Sequence, residues 1–180
     1  MLLKAKKIAF LGLLLACAVL LTIISGILEF NTLFLLAGAS FCVGIAIREE
    51  GLSLGIGFFI ASTILSLFLA PNKLYSLTFS AMGLYLVVTE IASVKPILHL
   101  RHRSRTSFLW MVKLIVFNVI YIPMLFLAPG LIYQGELALN SALFIVFLIG
   151  GQIALFIYDR AYNYFILSVW RKLRRHFVPR

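Results

Sequence analysis

The sequence predicts an all-α integral membrane protein: a polytopic bundle of six transmembrane helices, N-in and C-in, with a basic amphipathic C-terminal tail. Three observations predict it. Of 180 residues, 63% are hydrophobic and 12% charged, whereas a soluble domain sits nearer half apolar and a quarter charged. Apolar runs long enough to cross a bilayer recur from one end of the chain to the other. The cations fall almost entirely on one side of the map those runs define. The length suits one domain, so 1–180 reads as a single transmembrane domain, with 159–180 as its cytoplasmic tail.

The first helix, 8–28, orients the rest. Lys4, Lys6 and Lys7 precede about 21 residues without a charge, enough to span a bilayer. The lysines hold this end in the cytoplasm. Ala5, Ala9, Gly12 and Ala16 recur along one side at helical steps. Such a stripe of small residues lets another helix lie close. Glu29, Phe30 and Asn31 form the first outer turn.

Helix 2, 32–47, reads as short, about 24 Å of rise. Arg48, Glu49, Glu50 and Gly51 make the inner turn. Helix 3, 52–70, follows with Gly51, Gly55, Gly57 and Ala61 along its start, and Pro71, Asn72 and Lys73 turn the chain outside. Helix 4 covers 74–94. A basic inner loop, 95–105, holds His99, Arg101, His102 and Arg103. Helix 5, 108–128, is broken by Pro129 and Gly130, and 131–137 forms the longest outer segment. Helix 6, 138–158, ends at Asp159 and Arg160. The tracing passes its own test: of 16 lysines and arginines, only Lys73 falls outside. A wrong span count would scatter them over both faces.

The tail sets Tyr162, Tyr164, Phe165 and Trp170 beside Arg171, Lys172, Arg174 and Arg175. That pattern suits a helix lying along lipid headgroups. It also suits a plain positive stop signal or a docking site for a cytoplasmic partner.

Polar residues inside a span are costly and are site candidates by default. Glu90 on helix 4 and Lys113 on helix 5 lie at equal depth, so an intramembrane pair that sets helix register is expected, with Gln152 and Asn118 extending it. In the outer half, Asn72, Lys73, Tyr75, Tyr121, Tyr133, Gln134, Glu136 and Asn140 combine aromatic walls with a few directed polar groups. That is a reasonable lining for a small-molecule site, and the tyrosines are also ordinary interfacial anchors.

Other chemistries find no residues. The net charge of +10 belongs to cytoplasmic loops and anionic lipid contact, so no nucleic-acid partner is expected. Cys17 and Cys42 lie in spans and read as small packing residues. Leu14, Leu15, Ala16 and Cys17 mimic a lipoprotein cleavage site, but the apolar run continues to Leu28 and reads as a span. His99 and His102 stand among arginines without further ligands, so no metal site is expected. No P-loop, zinc-protease or serine-hydrolase motif occurs. The chain reads as a non-enzyme with no cofactor, and energy for active transport would come from partners.

The lysine head, the Ala/Gly-striped first helix and the six spans resemble a known family: the substrate-binding S components of energy-coupling-factor (ECF) transporters. The Gly-rich passage 44–57, which includes Gly44, Gly51, Gly55 and Gly57, is similar to that family's connection between helices 2 and 3. The resemblance implies a bundle in a bacterial-type plasma membrane that captures a small micronutrient from outside. It implies a transmembrane coupling subunit docked on Ala5, Ala9, Gly12 and Ala16, and cytoplasmic ATPases that drive it. The capture site would lie among helices 4–6 and the outer loops. The first outer loop, 29–31, is too short to serve as the lid common in that family. Either the ligand is small or the fold serves another purpose. The rod-shape protein MreD of cell-wall assembly is also similar in size and span count, which implies a non-catalytic membrane scaffold as the alternative.

Overall fold

The computed structural model describes residues 2–28, 31–94, 102–127 and 141–177, and every regular element among them is helical. In order they are α1 (Leu2–Ile27), α2 (Thr32–Glu50), α3 (Leu52–Leu69), α4 (Lys73–Val94), α5 (His102–Leu127) and α6 (Ser141–Tyr164). A π-helical segment, Phe165–Trp170, then leads into α7 (Arg171–Phe177). Among the described residues, six helices are long and apolar enough to cross a membrane. This is a multi-pass membrane protein of the expected fold class.

Boundaries differ from the sequence reading at α1, which already begins at Leu2, at α5, which begins at His102 inside the expected loop 95–105, and at two further helix ends. Helix 2 does not stop at residue 47. It runs 19 residues, to Glu50, and rises about 28 Å, close to a full bilayer core. Arg48, Glu49 and Glu50 are therefore helical, and Gly51 alone makes the turn, at φ 89°, a conformation open to glycine without steric cost. Charges mark where hydrocarbon ends, but they do not end a helix. The same reason explains the second of these ends: past Asp159 the backbone stays helical through α6, the π segment and α7 to Phe177.

The π segment has a geometric use. Leu155, Asp159, Tyr162, Ile166 and Trp170 are all buried, and two successive steps of four follow Tyr162. A 3.6-residue turn would let that line drift around the helix. The wider π turn keeps Ile166 and Trp170 beneath Tyr162.

The chain divides into two compact units, Met1–Ile120 and Tyr121–Arg180. The division falls inside α5, close to Pro123, which removes one intrahelical hydrogen bond and crowds the preceding turn.

Within the first unit α2 packs against α1, α3 and α4. Residues 39–47 are buried without a break, with Ala39, Val43 and Ala46 fully covered. Small residues make this possible. A Cβ on Gly55 would lie 2.7 Å from the Ile47 Cα, so α3 meets α2 backbone to backbone just after the Gly51 turn. A Cβ on Gly83 of α4 would strike the Phe59 ring at 2.8 Å. Gly57 and Ala61, anticipated in the same row as Gly55, are exposed. In the second unit, Tyr121 lies across α6: its hydroxyl donates to the Phe147 carbonyl at 2.8 Å, and its ring covers Gly151.

Candidate functional site

The polar residues of the first unit gather at the two ends of its α1–α4 core. At the Gly51 end, α1 begins, α2 finishes and α4 finishes. Glu90 of α4 is 5% exposed. Its Oε1 accepts from Arg48 Nε at 2.8 Å and lies 2.6 Å from Arg48 Nη2. Its Oε2 accepts weakly from the Ser93 hydroxyl at 3.5 Å. Beside it, Lys7 Nζ stands 2.8 Å from Glu50 Oε2. Two carboxylates from two helices thus meet cations from α1 and α2. A buried carboxylate without such a partner would be strongly destabilising.

The sequence reading paired Glu90 with Lys113; the structure sets Arg48 against it. Arg48 is the residue whose guanidinium fork grips Glu90, because α2 continues far enough to carry it alongside the last turns of α4. Lys113 has its ammonium 5.1 Å from the centre of the Trp110 ring, a cation–π distance. Asn118, expected to extend the network, donates to the carbonyl of Leu114 one turn back at 2.8 Å. The sequence reading missed Arg48, Lys7 and Glu50 as partners. A signal existed: an acid among so many inner cations is bound to find one. Which cation depends on packing.

Asp159 was also missed as a buried group. It is 4% exposed, and its Oδ2 accepts from Asn163 Nδ2 at 3.1 Å.

At the Pro71 end the polar groups serve the backbone. Asn72 Oδ1 accepts from the Leu74 amide at 3.0 Å, an Asx cap on α4. Lys73 turns its ammonium back on α3, 2.6 Å from the Leu67 carbonyl and 3.3 Å from that of Ala70. These are the unsatisfied carbonyls of a helix C-terminus, where a cation is favoured. Tyr75 is half-buried beside Pro71, near Gly26 of α1. The remaining anticipated ligand residues, Tyr133, Gln134, Glu136 and Asn140, lie outside the described residues, as does the basic loop 95–101. Tyr121 is engaged with Phe147 and Gly151, as described, in the second unit. The structure therefore brings Asn72, Lys73 and Tyr75 together at one turn and holds the first two to the local backbone.

Below that turn runs a seam of hydroxyls. Thr22, Ser25, Ser62 and Ser66 are wholly buried and Ser76 is 1% exposed. Most donate to a carbonyl three or four residues back, as Thr22 does to Ala18 and Ser62 to Phe59. That is how a hydroxyl is accommodated in an apolar interior. Ser76 instead donates across to the Ser66 carbonyl of α3 at 2.8 Å.

The stripe on α1 faces the other way. Ala5, Ala9, Gly12 and Ala16 are all exposed, whereas Leu14, Ala18, Thr22 and Ser25 make the buried face. A Cβ added to Gly12 would meet nothing within 4 Å. No protein-family model, curated protein or solved structure matches the chain.

Proposed function

We propose that this chain is the capture subunit of a partner-driven uptake system in a bacterial-type plasma membrane, of the kind the ECF S components exemplify. The observation that carries the reading is the α1 face formed by Ala5, Ala9, Gly12 and Ala16, exposed while the opposite face of the same helix is buried. Small residues in lipid are a poor use of a span. They make sense as the seat of a second helix, since close backbone approach drives association where water is absent. In this reading the Gly51 end is cytoplasmic, the partner on α1 is a transmembrane coupling subunit, and cytoplasmic ATPases supply the energy. The ligand is a small micronutrient that enters from the Pro71 end, near Tyr75.

A second reading, a non-catalytic scaffold of the MreD type, is favoured by the Pro71 end itself. Asn72 and Lys73 are satisfied by α3 and α4, which suits a closed turn more than an open mouth. Both readings need a helix docked on α1.

Gly12→Leu and Ala16→Leu test the shared element. Each should abolish co-purification of membrane partners in mild detergent while leaving insertion and thermal stability unchanged. Unaltered co-purification would remove the basis of the proposal. What co-purifies with the wild-type chain then separates the readings: ATPases with a coupling subunit, or wall-synthesis proteins.

A further inference from the structure

The second unit ends in an exposed face that the proposed function does not use. From Ser141 to Phe177 the helical backbone is unbroken, and 37 residues rise about 55 Å, against a hydrocarbon core of about 30 Å. About 25 Å of it therefore stands outside the core, and the cations from Arg160 onward put the excess at its C-terminal end. Its side chains are not those of a helix in water. Tyr164 is 69% exposed and Leu167 60%, and Leu173 is exposed as well. Among them stand Arg160, Arg171, Lys172 and Arg174, all exposed. Arg160, Tyr164, Leu167 and Arg171 follow at steps of four, three and four, while Asp159, Tyr162, Ile166 and Trp170 are buried. The only acid from 159 to 180 is Asp159, and it is turned inward.

We propose that the exposed face of 160–174 is a docking surface for anionic phospholipid headgroups of the leaflet it faces. Charge complementarity selects a phosphate-bearing partner. The interleaved Tyr164, Leu167 and Leu173 select a bilayer boundary over a soluble acidic protein, because they need an apolar layer next to the anionic one. Arginine adds bidentate hydrogen bonding to phosphate oxygens. The π segment lies within this stretch and holds Trp170 inward, which leaves Arg171 and Lys172 outward on the turn that follows.

The test uses the full-length chain in detergent, with phosphatidylglycerol and phosphatidylcholine titrated separately and bound lipid counted by native mass spectrometry. The wild-type chain should prefer phosphatidylglycerol and lose the preference as salt is raised. Replacing Arg160, Arg171 and Lys172 together by Gln should lower the preference by about a hundredfold, from about fivefold per cation. Arg160→Lys with Arg171→Lys should retain most of it. Equal binding of the two lipids by the wild-type chain would overturn the proposal without reference to any variant. So would a Gln variant of normal helicity that keeps the full preference, or cations that retain an acidic protein from native membranes while lipid preference is absent.

Discussion

The two ends of the α1–α4 core use polar residues in opposite ways. At the Gly51 end, charge meets charge between helices: Lys7 with Glu50, and Arg48 with Glu90. At the Pro71 end, side chains meet backbone: Asn72 and Lys73 close the termini of α4 and α3, and Ser76 reaches a single carbonyl of the facing helix. An interhelical ion pair specifies which helices are neighbours, because each charge is costly without its own partner. A capping contact specifies only where a helix stops. The Gly51 end should therefore carry more of the information that sets helix order, and substitutions there should be the more damaging.

The largest effect is expected from Arg48→Met. Glu90 would lose this cation while staying buried, a change that costs about 3–5 kcal/mol in a fully buried pair. Arg48 is 34% exposed, so solvent screening brings the figure to about 2 kcal/mol. Reversible unfolding in detergent measures it. Combining Arg48→Met with Glu90→Leu should recover most of the loss, and failure to recover would mean the pair acts through something other than its charges.

Next comes Gly55→Ala, where a Cβ must displace the Ile47 backbone of α2. Overpacking of this kind costs about 1–3 kcal/mol, read in the same unfolding assay. The same change at Gly12 should be silent there, which separates a packing glycine from one on an exposed face. The smallest effects belong to the Pro71 end. Ser76→Ala should cost about 0.6 kcal/mol, the average for an interhelical hydrogen bond in a membrane protein. Ser66→Ala should be neutral or slightly stabilising, because the Ser66 hydroxyl is buried without a hydrogen-bond partner. A larger loss at Ser66 than at Ser76 would show that the hydroxyl seam has a role beyond packing.

Much of the fold was legible residue by residue. Lys7, Arg48 and Lys73 bracket the first three spans, and Pro71 with Asn72 announced the turn between α3 and α4. Helix ends were less legible. Nothing between 158 and 177 breaks a helix, so the charges at Asp159 and Arg160 mark a change of solvent within one continuous helix. Glu90 was legible as a residue in need of a cation, but Arg48 as its partner was not. Equal depth on consecutive helices favours Lys113, whereas the packing of α2 on α4 is what sets Arg48 against Glu90. Tyr121 was legible as an aromatic wall in the outer half, but the contacts of its hydroxyl with the Phe147 carbonyl and of its ring with Gly151 were not.

Sequence alone determines how many helices can cross a membrane and in what order they follow, because hydropathy, charge and turn chemistry act locally along the chain. Tertiary structure alone decides which helix lies at the centre, which face of α1 is buried and which cation each acid meets. The reason is physical: within hydrocarbon the apolar pattern no longer marks an inside. Orientation of a span then depends on small residues and polar contacts whose partners lie far away in sequence.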